Sequence, residues 1–259
     1  WQELVEMVKP LTLLDQEGNF LQSAIALGEA KNILYASDIL SALMLQNGTV
    51  MTDEGGRPSL NKPLPTDPSF YPCEEALRFY TDFANPAKET YTWNEKMPNS
   101  LEAFIQGKVA MIFAYAKDLE KIKEEAPKLN FDLAKFPQIE GTLQEANIAS
   151  YFIETVSRKT KYPNEAWGLL LFASDPNNVK TYLTRAQKPT CHRALIKSQL
   201  EDIDLAPFAS QVLIARSWYQ GKNPKLMEEA FGEMIKSALS GEELRKALDY
   251  GAQKVNLTY

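Results

Sequence analysis

Four Glu-Glu pairs are the most obvious chemistry in this 259-residue chain: Glu74-Glu75, Glu124-Glu125, Glu228-Glu229 and Glu242-Glu243. Acid/base cleavage across a bond needs two carboxylates facing one substrate. Neighbours on a helix diverge by about 100°, so these pairs read as solvated helix faces. The single histidine, His192, lies beside Cys191, and the only other cysteine is Cys73. That set supplies neither a hydrolytic triad nor a ligand pair at metal spacing. Whether Cys73 and Cys191 form a disulfide is left open by the sequence. Residues 15–19, DQEGN, gather acids as a calcium loop does. They lack the twelve-residue pattern and its closing glutamate, so a solvated turn is the reading. Nucleophile-elbow and phosphate-loop signatures are missing as well. The sequence points to no metal, no cofactor and no catalytic residue.

What remains is a set of aromatic rings and hydrogen-bonding side chains at the ends of elements, the types that line a solute pocket. Lys31, Asn32, Tyr35 and Asp38 fall between a short apolar strand, residues 21–27, and a helix over residues 36–46. Backbone donors point outward at such a helix start. Tyr115 and Lys117 follow the apolar run 109–113, at the carboxyl end of a strand, where open α/β sheets bind their ligands. Trp93 lies in the loop 89–98, Tyr151 on an apolar stretch 147–156, and Trp218-Tyr219 before the turn 220–223. Each has a structural reading beside the binding one: Trp93 packs back into the core, Asp38 favours the helix dipole, Tyr115 is a half-buried strand-end tyrosine. Trp1 and Trp167 are assigned to the core.

The elements that would position these groups follow from periodicity. Leu77, Tyr80, Phe83 and Ala84 trace one face of a helix that Asn85-Pro86 ends. Ser100 reads as the N-cap of a helix over 101–106, Gly107 closes it, and 109–113 is a buried strand. Residues 53–72 carry five prolines and read as an extended surface loop. Strands are expected at 129–136 and 147–156, with a short one at most at 49–52. Helices are expected at 1–13, 118–125, 161–174, 176–185, 205–219, 224–239 and 242–255, with Ser37 capping 36–46. On the last helix Leu244, Ala247, Leu248, Gly251, Ala252 and Val255 share a face.

Hydrophobic residues at 44% and charged residues at 24% are ordinary globular values. A net charge of -6 without a basic block disfavours nucleic acid and anionic membrane surfaces as partners. No apolar run approaches the roughly 18 residues of a membrane span.

The order helix, aromatic loop, short helix, buried strand over residues 74–115, with AFIQGKVAM at its centre, resembles the family 1 extracellular solute-binding proteins of ABC importers. The opening WQELVEMVKPLT and the phrase KYPNEAWGLLLFAS at 161–174 resemble the same group. The resemblance implies a type II periplasmic-binding-protein-like α/β fold of two lobes with a hinge. Residues 1–137 and 203–259 would form the C-terminal lobe, and 138–202 the remaining part of an N-terminal lobe. The chain then reads as a fragment lacking much of that lobe. It implies capture of a small solute, a carbohydrate first, in an inter-lobe cleft and delivery to membrane permease subunits by a monomer. The location would be extracytoplasmic, in the periplasm or on the outer face of the membrane, with or without a lipid anchor. The family's commonest tryptophan after the corresponding strand is missing, and Lys117 falls near its place. The alternatives are a carbohydrate-active enzyme using paired carboxylates and a ligand-sensing or adaptor module.

Overall fold

Phe20–Ile25 (β2) sits in the middle of a three-stranded sheet, because its neighbours in sequence and in space offer it one partner on each edge. The computed structural model describes residues 1–142, 144–218 and 220–257. The chain starts with α1 (Gln2–Leu11) and β1 (Leu13–Leu14), which pairs antiparallel with β2 through the 15–19 turn. That turn is closed by Asp15, whose carboxylate accepts from the backbone N–H of Glu17 and Asn19. After β2 come α2 (Ala36–Gln46), α3 (Pro72–Asp82), α4 (Ser100–Ile105) and β3 (Val109–Met111), which lies parallel to β2. The helix α5 (Leu119–Glu125) follows a turn of 3-10 helix over Ala116–Asp118.

Next come β4 (Asn147–Ile148), α6 (Pro163–Ala173), α7 (Pro176–Ala186), α8 (Ile196–Gln199) and α9 (Ala206–Ala209). Then β5 (Ala215–Arg216) pairs parallel with β4, and α10 (Pro224–Leu239) and α11 (Leu244–Asn256) return to the first body. There α2, α3, α10 and α11 pack on one another, sharing a core with the sheet. The face expected on α11 is the one that packs: Ala247, Leu248, Gly251, Ala252 and Val255 are buried.

The loop between β2 and α2 approaches α3 so closely that only glycine serves at one point. Gly28 has φ +103, and a Cβ there would lie 2.5 Å from the Ala84 nitrogen.

Two buried amides tie the irregular crossings to this body. Gln46, at the end of α2, donates to the carbonyls of Pro137 (2.9 Å) and Ala146 (2.8 Å) and accepts from Trp1 Nε1 (2.8 Å). Gln211 donates to the Phe136 carbonyl and accepts from the Phe136 N–H and from Asn147 Nδ2. Trp1 completes the seam, its ring meeting Phe79, Phe113 and Phe136 edge-on.

Several expectations are corrected. Residues 129–136 form no strand, since Gln211 takes the backbone of Phe136 and no ladder partner faces the rest. Only Asn147–Ile148 of 147–156 pairs, and 49–52 holds a single bridge, Thr52 to Pro58. The helix expected over 205–219 is broken after Ala209, and Ala215–Arg216 is instead the strand that β4 needs. Asn99, not Ser100, caps α4, accepting from Leu101 N–H, while Ser100 Oγ accepts from Leu34 N–H. Ser37 caps nothing, because the chain enters α2 through Tyr35. Trp167 is not in the core but 55% exposed. Cys73 is buried and Cys191 exposed, both as free thiols. Burial pushes the Cys73 thiol up to about 12.

Gln46→Ala removes the partner of three groups at once. An expected loss of about 2–4 kcal/mol follows from leaving buried polar groups unpaired, and urea unfolding reads it as a lower midpoint. An unchanged midpoint would show that the crossing is not held there.

Candidate functional site

Among the described residues other than glycine, the backbone is forced into the left-handed region at Gln187, after α7, and at Tyr35, the N-cap of α2, with φ 62 and ψ 29. A tyrosine there costs about 1–2 kcal/mol, so the surroundings must hold it. They do so through its side chain. Tyr35 Oη donates to Asp118 Oδ1 at 3.0 Å, and Asp118 Oδ2 accepts from the Tyr115 backbone N–H at 3.0 Å. Tyr115 Oη in turn donates to Asp38 Oδ2 at 2.8 Å, one turn into α2. The two rings meet edge to face at 4.6 Å. Lys117 Nζ lies 5.1 Å from the Tyr35 centroid and 5.7 Å from that of Tyr115, within cation–π range of both.

Thus four of the residues singled out by type and spacing, Tyr35, Asp38, Tyr115 and Lys117, converge where the sheet's carboxyl end meets the start of α2. Asp118 and Glu228 join them. Asp118 reads from sequence as a helix-start charge, and Glu228 as half of a solvated pair. The available signal for Glu228 was its place one turn before Phe231, on a face of α10 that the core claims at Met227 and Phe231.

The electrostatics are those of a partly buried cluster, with Lys117 and Glu228 at its exposed rim. Asp38 is raised above the usual carboxylate range, mainly by burial, against the Tyr115 hydrogen bond and the Lys117 charge that pull it down. Glu228 is raised by burial first and by the Asp38 charge second. Both tyrosine hydroxyls are raised by burial and then by the carboxylates beside them, so they stay protonated donors. Among the described residues, Asp38 Oδ1 accepts no hydrogen bond and Lys117 Nζ pairs with no carboxylate. A free acceptor and a free ammonium beside two rings suit a neutral ligand bearing hydroxyls along its edge and C–H on its face.

The other expected residues divide. Trp93 is fully buried and donates from Nε1 to Asn32 Oδ1 at 3.0 Å, and Asn32 Nδ2 donates to the carbonyls of Asn94 and Met97. Their side chains are occupied in holding the 89–98 loop. Tyr151 is exposed and hydrogen-bonds Ser217 at 3.0 Å, and Trp218, next in sequence, leans on Phe231 at 5.9 Å. The buried Trp218 Nε1 has no partner among the described residues. These two form a second aromatic group following β4 and β5, on the α10 side of the cluster. Tyr219 lies outside the described residues.

A two-stranded crossing, an α/β body and a polar-aromatic cluster at its strand ends define a solute-binding fold rather than a catalytic one. The family described as bacterial extracellular solute-binding protein matches residues 1–191, and the chain belongs to it. The family is a non-catalytic component of transport. No curated protein matches the sequence. Among solved structures, the chain is similar to a solute-binding protein of an ABC transporter from Thermotoga lettingae bound with tagatose, at 16% identity and TM-score 0.68, covering 100% of this chain and 64% of that one. It is also similar to a cyclo/maltodextrin-binding protein complexed with maltotetraose, at 16% identity and TM-score 0.73, covering 99% and 63%. A third is the maltotriose-binding protein of Thermus thermophilus, at 15% identity and TM-score 0.65, covering 99% and 65%. The fold is therefore the α/β periplasmic-binding-protein fold, of which this chain spans about two thirds. No helix among the described residues is long and apolar enough to cross a membrane.

Because burial favours protonated Asp38 in the folded chain, the native state keeps this proton to higher pH than the unfolded chain, whose carboxyl titrates near 3.8. The stability contributed is complete below that value and is lost as pH rises through the raised native value. Asp38→Asn keeps an acceptor for Tyr115 and removes the titration. Its melting temperature is expected to gain on the parent's as pH goes from about 3.5 to about 7; a pH-independent difference would refute the burial argument.

Proposed function

We propose that this chain is the greater part of the solute-capturing subunit of an ABC importer and that its ligand is a small carbohydrate. The observation that carries the ligand class is the Tyr35–Asp118 and Tyr115–Asp38 pair of hydrogen bonds, with Lys117 across both rings. It fixes two aromatic surfaces and leaves charged donors and acceptors facing outward. Tyr35, Asp38, Tyr115, Lys117 and Trp218 are the contacts, with Tyr151 and Glu228 at the margin. The sugars bound by the structural relatives support the same class.

In this reading residues 1–137 and 203–259 form one lobe and 138–202 part of a second, with the Gln46 and Gln211 seam at the crossings between them. Closure of one lobe on the other would trap the ligand. The closed monomer would dock on permease subunits at the outer face of the membrane, and lipid anchoring there is compatible with this role.

The test is a thermal-shift titration of the two-lobed protein with tagatose, mannobiose and maltotriose, set against amino acids and short peptides. A sugar bound only by the folded state at a hundred times its Kd stabilises by about 2.7 kcal/mol. The shift should appear without turnover and vanish in Tyr35→Ala/Tyr115→Ala. Stabilisation by amino acids or peptides alone, or release of a hydrolysed sugar, would overturn the proposal.

A further inference from the structure

A left-handed residue is ordinary at the end of a helix, where Gln187 has it, but an N-cap residue is normally extended. Tyr35 departs from that rule at the start of α2, and the constraint comes from both sides of it. Ahead of it, Ser100 holds the approach twice: its N–H donates to the Asn32 carbonyl at 2.8 Å and its Oγ accepts from the Leu34 N–H at 2.9 Å. Behind it, the Tyr35 carbonyl accepts the first bond of the helix, from the Ile39 N–H at 2.9 Å, and Ile33 and Ala36 on either side are buried. The turn falls to Tyr35. Glycine or asparagine would make it with less strain, so what the position takes from a tyrosine is its side chain.

The Tyr35 hydroxyl is held by Asp118, and Asp118 is itself fixed. Its N–H donates to the Tyr115 carbonyl at 2.9 Å and its Oδ2 accepts from the Tyr115 N–H at 3.0 Å, which closes the turn on itself. Ala116 and Leu119, flanking it, are buried, so the turn cannot swing. Oδ1 is then presented to Tyr35 Oη, 3.0 Å away. Both carboxylate oxygens are thereby engaged by the protein.

We infer that Asp118 is a positioning residue of the capture site: without touching the solute, it fixes the Tyr35 ring against the Tyr115 ring and through them sets the affinity. This rests on the reading of both tyrosines as ligand contacts. The physical effect is pre-organisation. Two rings that already meet at 4.6 Å need no ordering when a solute arrives. Without the carboxylate, Tyr35 is free to relax its backbone, and the ring leaves its setting.

Asp118→Ala and Tyr35→Phe remove opposite ends of one hydrogen bond, the second with the ring kept. Calorimetric titration of the two-lobed protein with tagatose and with maltotriose, well below the melting temperature, is expected to show each variant about tenfold weaker than the parent. The double variant should be no weaker than Asp118→Ala alone. Asp118→Asn, whose Oδ1 can take the Tyr115 N–H while its Nδ2 donates to Tyr35 Oη, should restore the affinity to within about threefold of the parent. Losses that multiply in the double variant, or an Asp118→Ala as tight as the parent, would overturn the inference. So would an Asp118→Asn as weak as Asp118→Ala, which would mean that the charge acts on the solute directly. Amide exchange without ligand gives a second reading. The Ile39 N–H, which Tyr35 anchors from the start of α2, should exchange at least about fivefold faster in Asp118→Ala and in Tyr35→Phe, relative to the amides of α10 and α11. If no sugar binds the parent, the proposed function falls, and the exchange still decides whether Asp118 positions Tyr35: an unchanged Ile39 rate refutes it.

Discussion

Two buried glutamine amides hold the chain's crossings in one place, and the arrangement of everything else depends on them. Gln46 sits at the last turn of a helix whose other faces are already buried by Ile39, Leu40, Leu43 and Met44. Its amide therefore cannot move to meet the crossing segments; they come to it, at Pro137, Ala146 and Trp1. Gln211 does the same from the turn between α9 and β5, taking both backbone groups of Phe136. A planar amide offers two donors and two acceptor sites in fixed directions, so such a pair specifies register where a hydrophobic contact would allow sliding. The β4–β5 ladder is only two residues long and could not fix that register alone.

The tyrosine–carboxylate cluster is organised from the same helix. α2 carries Gln46 at one end and Asp38 at the other, so the crossing seam and the site share one rigid element. The strain at Tyr35 is offset by its hydrogen bond to Asp118, which is itself held by the Tyr115 N–H. That chain of dependence joins the start of α2 to the segment after β3. A rotation at the crossing would carry the whole cluster as a unit, which is what a cleft that closes on a solute requires.

Much of this was legible in the residues. The α2, α3, α10 and α11 faces follow from periodicity, because each is a long amphipathic or apolar segment with a clear stop. Tyr35, Asp38, Tyr115 and Lys117 were reachable because strand ends and helix starts are where α/β folds expose side chains. The short pieces were not legible. Residues 205–219 have helical composition, but the need of β4 for a parallel partner overrides it after Ala209. Asn32 and Trp93 have the right types for a pocket, and only packing reveals that each satisfies the other. Trp167 misleads in the opposite sense: an apolar helix predicts burial, yet no residue of α6 is buried.

The position of Lys117 bears on which sugar the proposed site would prefer. An ammonium at 5.1 and 5.7 Å from two ring centroids occupies the space a pyranose face would use to stack. A long maltodextrin, recognised largely through stacked faces, would have to displace it and lose the cation–π attraction of about 0.5–2 kcal/mol. A small, hydroxyl-rich sugar could instead bind at the edge, giving a hydrogen to Asp38 Oδ1 and accepting one from Lys117. Asp38 is already partly desolvated, so the charge-assisted bond it accepts there is stronger than one between neutral groups. On that reasoning selectivity in this chain rests on hydrogen-bond direction more than on aromatic area, and the missing tryptophan is the residue-level reason.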